Sequence, residues 1–297
     1  MAAFATAVTL GGANFLAVRF SNRELEPTWG AALRFSVAAV LFTSIALALR
    51  LRWPRGRQLA LTAVYGLLSI ALFYALMYWA LVRVTAGVAT VVLAIVPLLT
   101  LLLASAQHTE RLRGRAVVGS FLAFGGITWM TISGDDVTLA IGPLLALLGA
   151  ALAISQSVIV GKKLSGHHPV MTNAVAVSAG AVALLVMSLL TGDQWAFPSQ
   201  LEVIWSILYL VTLGSVGLFV LILLIVRHWT ASATSYMFVL FPIVTMLLGA
   251  WLADEPITAE GVVGALLVMS GVWFGALSSG AREPLTGARL SGATAGP

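Results

Sequence analysis

The chain has 297 residues, 60% of them hydrophobic and 9% charged, and a mean hydropathy of +1.02; no water-soluble core could hide so much apolar surface, so the surrounding solvent is read as lipid. Cysteine is absent, which excludes disulfides and thiolate metal sites. The charge is +5, but the basic residues sit in short loops between apolar runs and not along an aromatic-rich face, so they argue for membrane topology and against nucleic acid.

In chain order, the apolar runs predict spans over Ala2 to Phe20, Trp29 to Leu49, Gln58 to Val82, Thr85 to Gln107 and Ala116 to Ser133. A second set follows over Leu139 to Gly161, Pro169 to Thr191, Gln200 to Val226, Thr230 to Leu252 and Ala259 to Ser278. The first run turns apolar at Ala2 without a basic leader and is read as a retained helix. Residues 280–297, rich in Gly, Ala and Ser, read as a disordered tail. The expected fold is an all-α membrane protein of ten transmembrane helices, with residues 1–134 and 135–279 as its two five-helix halves.

The halves are related. Laying Arg83 to Gly126 over His228 to Gly271 without a gap puts Thr85 on Thr230, Pro97 on Pro242, Glu110 on Glu255, Gly119 on Gly264 and Gly126 on Gly271, each pair 145 residues apart. Agreement of Pro, Glu and Gly in one register marks an internal duplication.

With the N-terminus inside, twelve of the sixteen basic residues fall on the inner side: Arg50, Arg52, Arg55, Arg57, Arg111, Arg113, Arg115, Lys162, Lys163, Arg227, Arg282 and Arg289. Arg19, Arg23, Arg34 and Arg83 fall outside, which predicts both termini cytoplasmic. Five helices is an odd number, so the halves insert upside down relative to each other, with a substrate site expected between them near the midplane.

Pro97 and Pro242 interrupt two spans, each removing a backbone donor and pushing away the carbonyl four residues earlier, at Leu93 and Phe238. They are read as paired hinges, against the alternative of fixed kinks. All eleven carboxylates and all four histidines fall in loops, at span ends or in the tail, so no proton relay is expected inside the bundle. Arg34 is expected to snorkel or to pair near the outer face with Glu24 or Glu26. The amides within the spans are Asn14, Gln156 and Asn173, of which Asn14 and Gln156 occupy the first helices of the two halves. An amide suits both poles of a zwitterion, although interhelical hydrogen bonding is the plainer use. Tyr74 and Tyr78 share a helix face, Trp79, Phe238 and Phe241 add aromatic surface near the prolines, and Tyr236 joins Tyr78 as a pocket candidate. The candidate substrate residues are therefore Asn14, Tyr74, Tyr78, Trp79, Thr90, Gln156, Ser235, Tyr236 and Phe238, with Pro97 and Pro242 as hinges and no metal or cofactor. Enzyme motifs are poorly matched: Ile132 to Asp135 lacks the first glycine of G-x-G-D, and no H-E-x-x-H occurs.

The chain resembles the drug/metabolite transporter superfamily of EamA type. The resemblance is carried by Gly12 to Phe15, Arg34 with Phe35, Trp79 to Leu81 leading into Thr85 to Gly87, and both copies of the Pro97 to Gly126 segment. It implies ten helices in two inverted halves, in a bacterial inner membrane, exporting small metabolites, and within the superfamily it is most like the amino acid and aromatic amino acid exporters. Gly11 stands where many such proteins carry Trp. The expected cargo is a neutral or zwitterionic metabolite such as an aromatic amino acid, threonine or methionine, moved by a monomer in contact with membrane lipid, by alternating access and without obligatory proton coupling. A proton-driven multidrug exporter and a non-transporting membrane protein are the alternatives.

Overall fold

A computed structural model describes residues 2–108, 114–133, 141–164, 166–229, 234 and 237–276. The regular elements among them are all helical: α1 (Ala2–Ser21), α2 (Pro27–Ala48), α3 (Arg57–Leu81) and α4 (Ala86–Ala106), α5 (Gly114–Ser133), α6 (Ile141–Lys163), α7 (Pro169–Thr191) and α8 (Leu201–His228), α9 (Met237–Leu252) and α10 (Ala259–Ala276). Seven of these, α1 to α4 and α6 to α8, have the length and hydropathy of membrane spans. At 1.5 Å per residue they measure roughly 30–42 Å, against a hydrocarbon core of about 30 Å. Phe121, Ile141, Leu190 and Trp251 point outward and exposed, a surface that is stable only against lipid. The chain is a multi-pass membrane protein. The expected tail and the junction between the halves lie outside the described residues.

Local sequence sets the helix ends. Pro27 and Pro169 begin α2 and α7, where a missing N–H costs nothing. Gly192 ends α7 at φ +74°, and its backbone turn, closed by the Asp193 N–H on the Ser188 carbonyl at 3.1 Å, requires the left-handed conformation that glycine tolerates. The turn aims Asp193 at the first turn of α2, where its Oδ2 accepts the Trp29 N–H at 2.8 Å. The stop of one helix thereby caps the start of another.

Helices α3 and α8 each contain a six-residue π segment, Leu67–Leu72 and Thr212–Gly217. A π turn widens the helix and loosens its hydrogen-bond ladder. The two segments lie 145 residues apart, the same spacing as the sequence duplication.

Helix α2 packs along α7 and α5 along α10; α1 lies on α9 and α8, α6 on α4 and α3, and α4 crosses α9. Lipid supplies no hydrophobic drive between helices, so close backbone contact must hold them. At the tightest contact a Cβ on Gly66 in α3 would fall 2.0 Å from the Ala176 carbonyl oxygen in α7, and on Gly271 in α10 it would fall 2.6 Å from the Gly119 oxygen in α5.

The two prolines are not realised alike. Helix α4 breaks at Ala94 and Ile95, where the Ile95 N–H turns back to the Val92 carbonyl, and Pro97 stands in the first turn of the piece that resumes at Val96. Thr100 Oγ1 and Ser155 Oγ both donate to the Val96 carbonyl, at 2.8 and 3.2 Å, so polar side chains collect at the break. Helix α9 runs through Pro242 without interruption. There Thr245, the counterpart of Thr100, donates across to the Gly12 carbonyl of α1 at 2.8 Å. The sequence predicts a matching bend in both halves; among the described residues the break lies in α4, while α9 is continuous at Pro242.

Candidate functional site

A cavity lies among α1, α3, α6, α7, α8 and α9. Phe15, Phe73, Tyr74, Phe219, Phe238 and Phe241 give it an aromatic wall, and Asn14, Ser69, Ser157 and Asn173 are among its polar side chains. One end of its lining is at Asn14, Tyr74 and Met77; the other reaches Gly161, Val226 and Thr234, beside the helix ends that carry Lys162, Lys163 and Arg227. The lining therefore extends towards the Arg/Lys-rich face, where Lys162 Nζ donates to the Val226 and Trp229 carbonyls at 3.0 and 2.7 Å.

The opposite face is stitched shut. Arg19 of α1 pairs with Glu255, whose carboxylate also lies 3.5 Å from the Ala86 N–H at the start of α4. Arg23 pairs with Glu202 of α8 at 2.6 Å. Glu24 accepts the Ser199 and Gln200 N–H groups at 2.8 and 3.1 Å, together with the Ser199 hydroxyl, just before α8 begins. The Ser199 hydroxyl above all, helped by both amides and opposed by desolvation, holds the Glu24 carboxyl below the usual value. Single exposed ion pairs contribute little, but these carboxylates also supply acceptors to helix starts. Each contact joins an element of the first half to one of the second.

Arg34 overturns one expectation. It does not snorkel or pair with Glu24 or Glu26; it is 0% exposed and reaches across from α2 to the π segment of α8. Nε donates to Ser215 Oγ at 2.9 Å, Nη2 to the Gly214 carbonyl at 2.9 Å and Nη1 to the Tyr78 hydroxyl at 3.4 Å. Its guanidinium carbon lies 4.7 and 4.9 Å from the ring centres of Phe35 and Tyr74. Asn14 Nδ2 donates to the same Gly214 carbonyl at 3.1 Å. Sequence position alone placed Arg34 near a helix end; its long side chain carries the charge inward, because the widened turn of α8 offers it acceptors.

Of the residues expected at the substrate, Asn14, Tyr74 and Phe238 line the cavity. Tyr78 is buried behind the wall at Arg34. Trp79 faces outward, 39% exposed, with Arg83 stacked on its ring at 3.9 Å. Thr90 turns its hydroxyl back to the Ala86 and Gly87 carbonyls of its own helix. Gln156 accepts from Gln107 Nε2 at 2.7 Å and does not line the cavity. Ser235 and Tyr236 lie outside the described residues. The amide in the cavity wall besides Asn14 is Asn173, whose buried Nδ2 has no hydrogen-bond partner among the described residues. Three amides were visible in the sequence; choosing among them needed the helix face, which an all-apolar helix does not reveal. Gly11 also has a use: it makes room for the Phe241 ring of α9, whose edge lies 2.4 Å from where a Cβ would stand.

The model of the EamA-like transporter family matches the chain twice, over residues 1–132 and 140–276. The chain belongs to the EamA-like transporter family. It is thus a membrane transporter, and the cavity is the candidate route of its cargo. A protein of Archaeoglobus fulgidus described as an uncharacterized transporter is 27% identical over 275 residues, covering 91% of this chain and 96% of that one. An Escherichia coli protein described as a probable amino-acid metabolite efflux pump is 28% identical over 283 residues, covering 90% and 91%. A solved crystal structure shares the fold at a TM-score of 0.68 and 17% identity, over 93% of this chain and 96% of that one.

Proposed function

We propose that this EamA transporter exports neutral amino acids, aromatic residues, threonine and methionine among them, and similar zwitterionic metabolites by alternating access, without obligatory proton coupling. The observation that carries the reading is the cavity itself, aromatic along its wall, with its lining extending towards one face while the other face is bonded shut. The unpartnered Asn173 amide gives a polar substrate group a donor, since an unmet buried donor favours any ligand that satisfies it. Asn14, Tyr74 and Phe238 are its substrate-facing companions. The name of the Escherichia coli relative points to the same cargo class.

The architecture that goes with this function is ten membrane helices in two inverted five-helix repeats, residues 1–134 and 135–279. It is supported by three agreements. The family model matches twice, the π segments share the repeat spacing, and the packing is symmetric under exchange of helices five apart: α1 on α9 corresponds to α6 on α4, and α1 on α8 to α6 on α3. The reading puts the protein in the bacterial inner membrane, and its loop charges support a cytoplasmic side for both termini and the 280–297 tail. One chain encloses the cavity, which favours a monomer. The break before Pro97 is the hinge and Pro242 its stiffer counterpart.

Proteoliposomes test the reading. Labelled phenylalanine, threonine or methionine should undergo counterflow that a proton ionophore leaves unchanged. Flux confined to lipophilic cations and driven by a proton gradient would instead establish a multidrug exporter.

A further inference from the structure

A π segment in a membrane helix needs partners for its loosened backbone, yet the two π segments of this chain meet that need differently. In α3 the Ser69 hydroxyl donates to the Tyr65 carbonyl at 2.7 Å, and α7 closes over the segment by backbone contact: a Cβ on Gly180 would fall 2.4 Å from Ile70 Cβ and 3.1 Å from the Gly66 oxygen. No arginine is involved, since the position 145 residues after Arg34 is Ala179. In α8 the same structural task is given to a fully buried arginine. Burying a cation in a membrane interior is costly and usually functional, and α3 shows that the fold does not require it.

The position of that charge relative to the cavity is specific. Among the described residues the ion pairs are Arg19 with Glu255 and Arg23 with Glu202, so the carboxylates leave Arg34 uncompensated. Tyr74 and Phe219 both line the cavity. The Arg34 guanidinium lies over the Tyr74 ring and over Phe35, which stacks on Phe219 at 6.0 Å. Asn14, also in the lining, shares the Gly214 carbonyl with it. The charge stands one side chain behind the cavity wall, fully buried and, among the described residues, paired with no carboxylate.

We infer that Arg34 sets the sign of the group accepted at the Asn14 and Tyr74 end of the cavity, admitting a carboxylate there and rejecting a cation of the same shape. The inference rests on this cavity being the substrate's path. Arg34 touches no cargo; it determines specificity through the field behind Asn14 and Tyr74. At roughly 7–10 Å and an effective dielectric of about 20, one charge biases binding by about fifteen- to fiftyfold.

The test is equilibrium binding to the purified full chain in lipid nanodiscs, with two probes on one phenyl frame: 3-phenylpropionate, an anion, and 2-phenylethylamine, a cation. The wild type should prefer the anion by at least about tenfold, and Arg34→Lys should keep that preference. Arg34→Met should abolish it. Ser215→Asp, which keeps the arginine but sets a carboxylate beside its Nε, should abolish it too and carries the test if Arg34→Met does not fold. A role confined to bracing the π segment predicts that Arg34→Lys, with its poorer fork, changes melting temperature but that none of the variants changes the probe ratio. A wild type without preference, or a preference surviving both Arg34→Met and Ser215→Asp, overturns the inference. Neither probe is an amino acid, so the ratio is read whether or not phenylalanine counterflow occurs, and failure of the export reading remains separate.

Discussion

Asn14 and Gly214 are fitted to one another: Asn14 Nδ2 donates to the Gly214 carbonyl at 3.1 Å, while its Oδ1 lies 2.1 Å from the point a Cβ on residue 214 would occupy. Gly214→Ala must therefore push Asn14 away from the π segment and strip one donor from the shared carbonyl. Overpacking of this kind costs about 1–3 kcal/mol. The loss should appear as a lower unfolding midpoint in detergent, and Asn14→Ala in the same chain should recover part of it, since the clash is pairwise. Equal stability of Gly214→Ala and wild type would contradict the packing described.

Gly66 and Gly125 offer a contrast within one fold. A Cβ on Gly66 meets the Ala176 carbonyl at 2.0 Å, a backbone atom that cannot step aside, whereas a Cβ on Gly125 meets nothing within 4 Å. Gly66→Ala should separate α3 from α7 and yield a protein that aggregates on size-exclusion chromatography. Gly125→Ala should behave as wild type, or gain a few tenths of a kcal/mol from helix propensity.

How much of this was legible beforehand differs from residue to residue. The membrane class, the duplication and the aromatic character of the interior follow from composition and from residues 145 apart, because apolar runs and prolines leave signals in one dimension. The cavity's Tyr74 and Phe238 were legible for the same reason. Arg34 was not: its backbone sits near a helix end, and only the π segment of α8, whose widened turn leaves no period of its own in the sequence, explains where its charge goes. Gln156 and Asn173 look equivalent in sequence; the face each occupies on its own helix, α6 or α7, decides that one meets Gln107 and the other the cavity.

The prolines give a kinetic prediction. Pro97→Ala restores a donor at the α4 break and should let the helix close over Ala94 and Ile95. Counterflow should slow by about tenfold or more, while the binding constant for the same substrate changes little. Pro242→Ala, in a helix already continuous, should slow it less. The ratio of flux to binding in the two variants decides the matter, and equal effects would contradict an unequal hinge.

The seal at the far face carries a pH signature. The folded Glu24 carboxyl lies below its ordinary value of 4.5, so its bonds to Ser199 and Gln200 are complete above about pH 4.5 and are lost as pH falls through the depressed value. Amide NMR shifts of Ser199 and Gln200 should hold steady from pH 7 to 5 and move only below 4.5; Glu24→Gln should remove the movement. A midpoint at or above the ordinary value would contradict the contact.

The most direct measurement uses the natural absence of cysteine. Ile154, in the cavity lining near the middle of α6, is replaced by Cys and challenged with a membrane-impermeant maleimide in vesicles of each orientation. Labelling should come from the Arg/Lys-rich face at rest, and from the opposite face once Arg19→Ala and Glu255→Gln release the seal or substrate is supplied there. Labelling that stays on one side under every condition would contradict alternating access through this cavity.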